Sequence, residues 1–133
     1  MQTRRATAEH EPVILLDPHI DSAAELAMHL ELNGFPALIA ARASAAQAVI
    51  DRGHFTTLIV IADFEVAACL GWLDELRRTA GRCWMIVVSP QCDTNTCNLI
   101  YRHGGDACIT APVSIDDLTA RLTTFQLHAR PIL

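Results

Sequence analysis

The sequence predicts an α/β fold: three layers, with one parallel sheet of five strands and helices on both faces. Short apolar runs recur along the chain, are rich in branched side chains and lack polar alternation, as is typical of strands buried on both faces. Segments of helical spacing separate these runs, and the strand–helix order implies right-handed crossovers and a doubly wound arrangement. A length of 133 residues suits one domain with one sheet.

The elements follow one another in strand–helix pairs. The predicted strands are Val13–Leu16, Ala37–Ala40, Leu58–Ile61, Trp84–Val88 and Ala107–Ile109. The first three predicted helices are 20–32, 44–52 and 70–79, each closed or followed by a glycine.

Capping residues mark the last two helices. Asp93 can cap a helix that runs to about His103. Ser114, with Asp117 three residues later, resembles a capping box and opens a helix to about His128.

The chain ends flank this single domain. Residues 1–12 are polar and predict a flexible N-terminal arm, the domain spans 13–130, and 131–133 form a tail or the start of a linker to an output domain. No signal peptide and no apolar run of ~20 residues is present, so we expect a cytoplasmic protein without membrane contact.

Composition excludes several functions. All ten basic residues are arginine, and lysine is absent, which excludes Schiff-base enzymes and Walker-type phosphate loops. The net charge of -5 argues against direct nucleic-acid binding, which needs clustered positive charge. Neither a glycine-rich phosphate loop nor a nucleophile–base pair is present, so we expect a protein that is not an enzyme.

The cysteines suggest no special chemistry. Five is an odd number, and no two form a CxxC pair, so neither a disulfide framework nor a zinc site is indicated. Reduced, buried thiols are the interpretation that this pattern favours.

Polar residues stand where the strands end. Asp17 follows the first strand, Asp63 the third and Ser89 the fourth, while Pro112 follows the fifth. Ligands gather at the carboxyl ends of strands in such sheets. Acids and a hydroxyl at one edge could hold a divalent cation and a phosphoryl group.

From Val13 to about Arg130 the sequence resembles the receiver domain of bacterial response regulators, a CheY-like, flavodoxin-like fold. The first strand, acidic turn, helix and closing Gly-Phe match the family pattern. Asp63, eight residues before Gly71, matches the phosphoacceptor, and Ser89, 22 residues before Ala111, matches the switch hydroxyl. Pro112 fits the proline that follows the family's lysine.

The same alignment shows departures from the family pattern. Pro18 replaces the second acid of the first turn, Ala111 replaces the lysine, and Cys108 replaces an aromatic switch residue. Ala67 stands where a proline usually follows the phosphoacceptor. The resemblance therefore implies a degenerate receiver, or pseudo-receiver, in which Mg²⁺ binding through Asp17 and Glu65 is weak and no cofactor is certain.

The resemblance implies a module of two-component signal transduction that acts through protein–protein contact, with weak or no conventional phosphorylation. A sensor kinase, an output domain or another regulator would be its partner. A true phosphoacceptor receiver that takes phosphoryl on Asp63 from a histidine kinase is the alternative. A small-molecule-binding flavodoxin-like domain is a further one.

Individual residues leave two interpretations open. Asp63 and Asp17 are each either a site acid or a capping acid. Ser89 before Pro90 is either a switch hydroxyl or a loop element. His19 is either a ligand or a solvent-exposed side chain. Trp84 is expected in the core, and Trp72 half exposed. Tyr101, Leu118, Leu122 and Phe125 lie where receivers dimerise or dock partners, but such a stripe is also typical of a core.

Overall fold

A computed structural model describes residues 10–53, 55–61, 66–79 and 82–128. Strands and helices alternate through this part of the chain, as the sequence predicts. The strands are β1 (Val13–Leu16), β2 (Ala37–Ala40), β3 (Thr57–Ile61), β4 (Trp84–Ser89) and β5 (Ala107–Thr110). The helices are α1 (Ile20–Leu32), α2 (Ala43–Arg52), α3 (Val66–Thr79), α4 (Thr94–Arg102) and α5 (Ile115–Gln126).

All five strands join one parallel sheet in the order β2-β1-β3-β4-β5. Strand β3 therefore lies at the centre, between β1 and β4. The order reverses direction at β1, which is the topology of a doubly wound sheet, and the predicted fold class is confirmed.

Successive residues of β1 pack on opposite faces of the sheet. Ile14 and Leu16 join a cluster that contains Leu73 of α3 and Ala46 of α2. Val13 joins the other cluster with Leu30 of α1 and Leu122 of α5. Because side chains alternate across a strand, a strand covered by helices on both faces must be apolar throughout. The continuous apolar runs have this cause.

Strand β2 departs from the prediction of burial on both faces. Leu38 and Ile39 are 47% and 39% exposed. Strand β2 is an edge strand, paired on one side only with β1. Together with Met28 and Leu32 of α1, which are also exposed, Ile39 lines an apolar surface depression.

Helix α3 begins four residues before the predicted start. Cys69 is buried with Leu73 and Leu76, so the apolar face continues one turn toward the N-terminus. The leucine spacing alone predicts a start at Leu70, because the apolar position one turn before Leu73 is filled by a buried cysteine and not by a leucine.

The last residues of the predicted N-terminal arm pack on the domain. The ring of His10 stacks on Phe35, with centroids 3.9 Å apart, and the Gln126 side chain forms two hydrogen bonds with the backbone of Glu11. His10 and Glu11 are therefore packed on the domain. Residues 1–9 and the predicted tail at 131–133 lie outside the described residues.

Both predicted caps are present. The Asp93 carboxylate accepts a hydrogen bond from the Thr96 amide at 2.8 Å, and the Ser114 hydroxyl accepts one from the Asp117 amide at 3.3 Å. The Asp117 carboxylate is 3.5 Å from Arg121 on the next turn. In the described part of the chain, no helix has the length and apolar character needed to cross a membrane.

Candidate functional site

Asp17 comes directly after β1 and is 2% exposed. Its amide donates to the Ala40 carbonyl, and its Oδ1 accepts a hydrogen bond from the His19 amide at 2.8 Å. His19 itself is the N-cap of α1 and makes no side-chain capping bond. Asp17 therefore closes the turn between β1 and α1 instead of capping the helix, so the capping interpretation is wrong. Its role as a metal ligand stays a prediction.

Ser89 is the last residue of β4 and is fully buried. Its hydroxyl donates to the Gln91 carbonyl at 2.9 Å and accepts from the Gln91 amide at 3.2 Å. The hydroxyl thus organises the loop after β4, which is what the loop interpretation predicts. Its role as a switch residue stays a prediction.

Ala111 lies just beyond the end of β5. Its amide donates to the Ser89 carbonyl at 2.8 Å, and Ser89 pairs with Thr110 in the sheet. The side chain packs against the core cluster that contains Leu118, and the Ala111–Pro112 peptide is cis. The position that matches the family's lysine is therefore beside Ser89 and carries only a methyl group.

The other acids of the predicted site, Asp63 and Glu65, lie outside the described residues. Strand β3, which ends two residues before Asp63, lies between β1 and β4. The structure therefore brings the ends of β1, β3, β4 and β5 to one edge, with Asp17 directly after β1 and Ser89 at the end of β4, the two strands that flank β3.

Pro18 and His19 are exposed beside this edge. They line a shallow surface depression with Ile20, Asp21 and Ser22. The exposure of His19 agrees with the solvent interpretation. Pro18 supplies no charge at the position of the family's second acid.

The residues of the predicted partner surface differ in exposure between the two helices. Leu118 and Leu122 are fully buried, because they form the face of α5 that packs on the sheet. They cannot contact a partner, and the core interpretation is right for both. On α4, by contrast, Tyr101 is 50% exposed and Leu99 is 39% exposed.

The two tryptophans are both partly buried. Trp84 stacks on Phe125 with ring centroids 4.5 Å apart, and its indole N–H donates to the His128 carbonyl at 3.0 Å. Trp72 packs against the cluster on the opposite face. The prediction for Trp72 is confirmed, while Trp84 lies at the rim of the core instead of inside it.

A cluster of three cysteines lies near Tyr101 and was not predicted. The sulfur atoms of Cys92, Cys97 and Cys108 all lie within 4.8 Å of one another, and all three residues are partly exposed. The prediction of buried thiols holds for Cys69 and Cys83 and is wrong for these three. Pairing of β4 with β5 brings Cys108 to the loop and helix that carry the other two, a contact that spacing along the chain does not show.

The surroundings of these thiols shift their acidity. Burial raises the pKa of Cys69 to about 12. Burial and hydrogen bonds with Cys92 and Cys97 raise the pKa of Cys108. Partial burial, followed by the charge of Cys97, raises the pKa of Tyr101. Below these pKa values Cys69 and Cys108 are neutral thiols.

No family model matches the sequence, and neither does any curated protein. Among solved structures, the chain is similar to the receiver domain of a Francisella response regulator, with a TM-score of 0.78 and 20% identity over 89% of this chain and 98% of that one. An orphan response regulator of H. pylori gives a TM-score of 0.72 and 18% identity over 87% of this chain and 96% of that one. An atypical orphan response regulator, described as having a phosphorylation-independent regulatory mechanism, gives a TM-score of 0.72 and 18% identity over 87% of this chain and 95% of that one.

The chain therefore has the fold of response regulator receiver domains, as the residues at the strand ends predict.

Proposed function

We propose that this chain is an atypical receiver module of two-component signalling, which acts by contact with a protein partner and is phosphorylated weakly or not at all. The position of Ala111 is the observation that carries the proposal. It lies beside Ser89 at the carboxyl edge of the sheet and offers a methyl group where the family pattern has a lysine. We also propose that the module is cytoplasmic and has no catalytic activity of its own.

The missing ammonium group weakens a phosphorylated state. A phosphoryl group on Asp63 would add negative charge at an edge that already holds the buried acid Asp17. A charge-assisted hydrogen bond of the kind that lysine makes contributes about 1.5–3 kcal/mol. Its loss lowers the population of the phosphorylated state roughly ten- to hundredfold.

The residues at this edge fit Mg²⁺ poorly. Asp17 offers a carboxylate, but its Oδ1 is engaged by the His19 amide, and Pro18 supplies no second carboxylate. Mg²⁺ prefers several oxygen ligands in octahedral geometry. Asp17, Glu65 and Asp63 would hold the ion, which would neutralise phosphoryl charge, so we expect its affinity to be low.

The proposed partner surface is the exposed side of α4. Tyr101 and Leu99 present apolar surface there, and tyrosine is enriched at protein interfaces. A sensor kinase, an output domain, another regulator or a second copy of the chain would bind at this face. The net charge of -5 favours a protein over a nucleic acid as the partner.

The similarity to an atypical orphan regulator described as phosphorylation-independent supports this proposal. At 18% identity that similarity concerns the fold. The support lies in showing that this fold is found in a regulator with such a mechanism.

Incubation with Mg²⁺ and acetyl phosphate, followed by intact mass measurement, tests the proposal. We expect little or no phosphoryl adduct on the wild-type chain. Stoichiometric modification that disappears in the Asp63→Ala variant would contradict phosphorylation-independent action.

Partner recovery from cell extract tests the surface. A partner recovered with wild type should be retained by Asp63→Ala and lost by Tyr101→Glu. Thr123→Glu, at an exposed position of α5, is the matched control and should retain it. Loss of the partner with Asp63→Ala alone would instead favour a phosphoacceptor receiver.

That phosphoacceptor function is the second candidate. The buried Asp17 and the Ser89 hydroxyl favour it, because both are retained on the strands that flank β3. In this case Asp63 accepts the phosphoryl group from a histidine kinase.

A further inference from the structure

We propose that Cys92, Cys97 and Cys108 form a binding site for one thiophilic cation of the Zn²⁺ type. Their three sulfur atoms converge within 4.8 Å of one another at the junction of α4 with β5. The proposal is independent of whether Asp63 is phosphorylated.

Three elements place the sulfur atoms. Cys92 lies in the loop after β4, with Sγ 3.9 Å from the Ser89 carbonyl, and Cys97 lies in α4, with Sγ 3.5 Å from the Cys92 carbonyl. Cys108 lies on β5, where it pairs with Val87. Because a loop, a helix and a strand each contribute one sulfur, a bound ion would tie α4 to the edge of the sheet.

The spacing of the sulfur atoms suits one ion after a small adjustment. Zn²⁺ binds thiolates at about 2.3 Å in tetrahedral geometry, which sets bound sulfurs about 3.8 Å apart. The Sγ atoms of Cys92 and Cys108 are 2.7 Å apart, and all three lie within 4.8 Å. The first pair must separate by about 1 Å, which requires rotation of the Cys92 side chain in the loop.

The composition of the cluster selects the class of ion. Three sulfur ligands favour soft or borderline cations over Mg²⁺ or Ca²⁺, which prefer oxygen. On binding, each thiol releases its proton to solvent as its sulfur donates an electron pair to the ion.

Solvent could reach the fourth position of a bound ion. All three cysteines are partly exposed, and neighbouring Tyr101 is half exposed. Water fills the fourth position of a zinc ion with three protein ligands. The site thus adjoins the proposed partner surface on α4.

Titration with Co²⁺ and Zn²⁺ tests the proposal. The full chain is reduced, freed of chelator and handled without oxygen, and thiol counting in denaturant verifies that all five cysteines are reduced. We expect one equivalent of Co²⁺ to give thiolate-to-cobalt charge-transfer absorption and tetrahedral d–d bands, which Zn²⁺ then displaces.

Variants assign the ligands. Cys97→Ser should lower Zn²⁺ affinity about 100-fold, since the free energy of binding divides among few ligands, and Cys108→Ser should do the same. The matched control, Cys69→Ala with Cys83→Ala, removes the two buried thiols outside the cluster and should keep wild-type affinity. Circular dichroism verifies that each variant is folded.

The Co²⁺ spectrum of the wild-type chain tests the proposal without any variant. Absence of charge-transfer absorption in the fully reduced protein would overturn the proposal. Equal affinity in folded Cys97→Ser would overturn it as well. So would a Cys92–Cys108 disulfide that forms when the protein with excess Zn²⁺ is exposed to air, with O₂ as the oxidant.

Discussion

Arg77 of α3 connects three separate parts of the fold. Its guanidinium donates to the carbonyls of Cys83 at 2.9 Å and Gly104 at 2.6 Å, and to the carboxylate of Asp106 at 3.0 Å. The same Asp106 oxygen accepts a hydrogen bond from the Met85 amide at 2.8 Å. Both side chains are largely shielded from solvent. The pair therefore fixes α3 against β4 and the turn before β5.

Replacement of Asp106 by alanine should destabilise the fold by about 2–3 kcal/mol, because it removes the partner of a shielded guanidinium and of a backbone amide. The matched control is Asp117→Ala, which removes an exposed ion pair with Arg121 and should change stability by about 0.5 kcal/mol or less. Urea denaturation of both variants measures the difference. Equal losses would show that the Arg77–Asp106 pair has no special structural role.

Helix α4 depends on its N-cap for the orientation of its first turn. The hydrogen bond from the Thr96 amide lowers the pKa of Asp93 below its ordinary value of 3.8. A lowered pKa in the folded state means that the charged carboxylate stabilises folding. This stability is present above the ordinary pKa and is lost as the pH falls through the lowered one.

Comparison of wild type with Asp93→Asn tests this effect, because asparagine caps a helix without titrating. Other carboxyl groups titrate alike in both proteins. The difference between their urea midpoints should be constant above about pH 5. As the pH falls below the ordinary aspartate pKa, the wild-type midpoint should fall relative to that of the variant. A difference that is constant from pH 6 to about pH 2 would contradict the capping account.

Replacement by alanine should change the stability of the protein in opposite directions at Gly71 and Gly105. A Cβ atom at Gly71, within α3, meets nothing within 4 Å. One at Gly105, in the turn after α4, lies 2.5 Å from the Ile100 Cγ2 and 3.1 Å from its carbonyl oxygen. Ile100 is fully buried and has little room to move.

We therefore expect Gly71→Ala to stabilise the protein by up to about 1 kcal/mol through helix propensity. Gly105→Ala should destabilise it by about 1–3 kcal/mol through overpacking. Thermal denaturation of the two variants gives the signs. Destabilisation by Gly71→Ala would mean that α3 packs against a surface that the single chain does not contain.

Across the whole molecule, local pattern was enough to predict the fold. Every residue of β1 is apolar because helices cover both faces of the strand. The bounds of β1 and α1 agree with the prediction. Position within the sheet was not predictable from a run of residues, so Leu38 and Ile39 were expected to be buried although β2 is an edge strand.

The candidate site was predictable to the extent that strand ends define it. Asp17, Ser89 and Ala111 do come to one edge, because parallel strands end together. Contacts between distant parts of the chain were not predictable. The cysteine cluster depends on the pairing of β4 with β5, and the burial of Leu122 depends on which face of α5 meets the sheet.

We propose that the phosphorylation switch is disconnected because Pro18 and Ala111 stand where the family pattern has an acid and a lysine. Phosphoryl occupancy of Asp63, measured by intact mass in Mg²⁺ and acetyl phosphate, tests it when wild type is compared with the Pro18→Asp/Ala111→Lys variant. Asp63→Asn in each background is the control. We predict low occupancy in wild type and about tenfold or higher occupancy in the double variant. Full occupancy of wild type, unchanged by the two substitutions, would contradict the account.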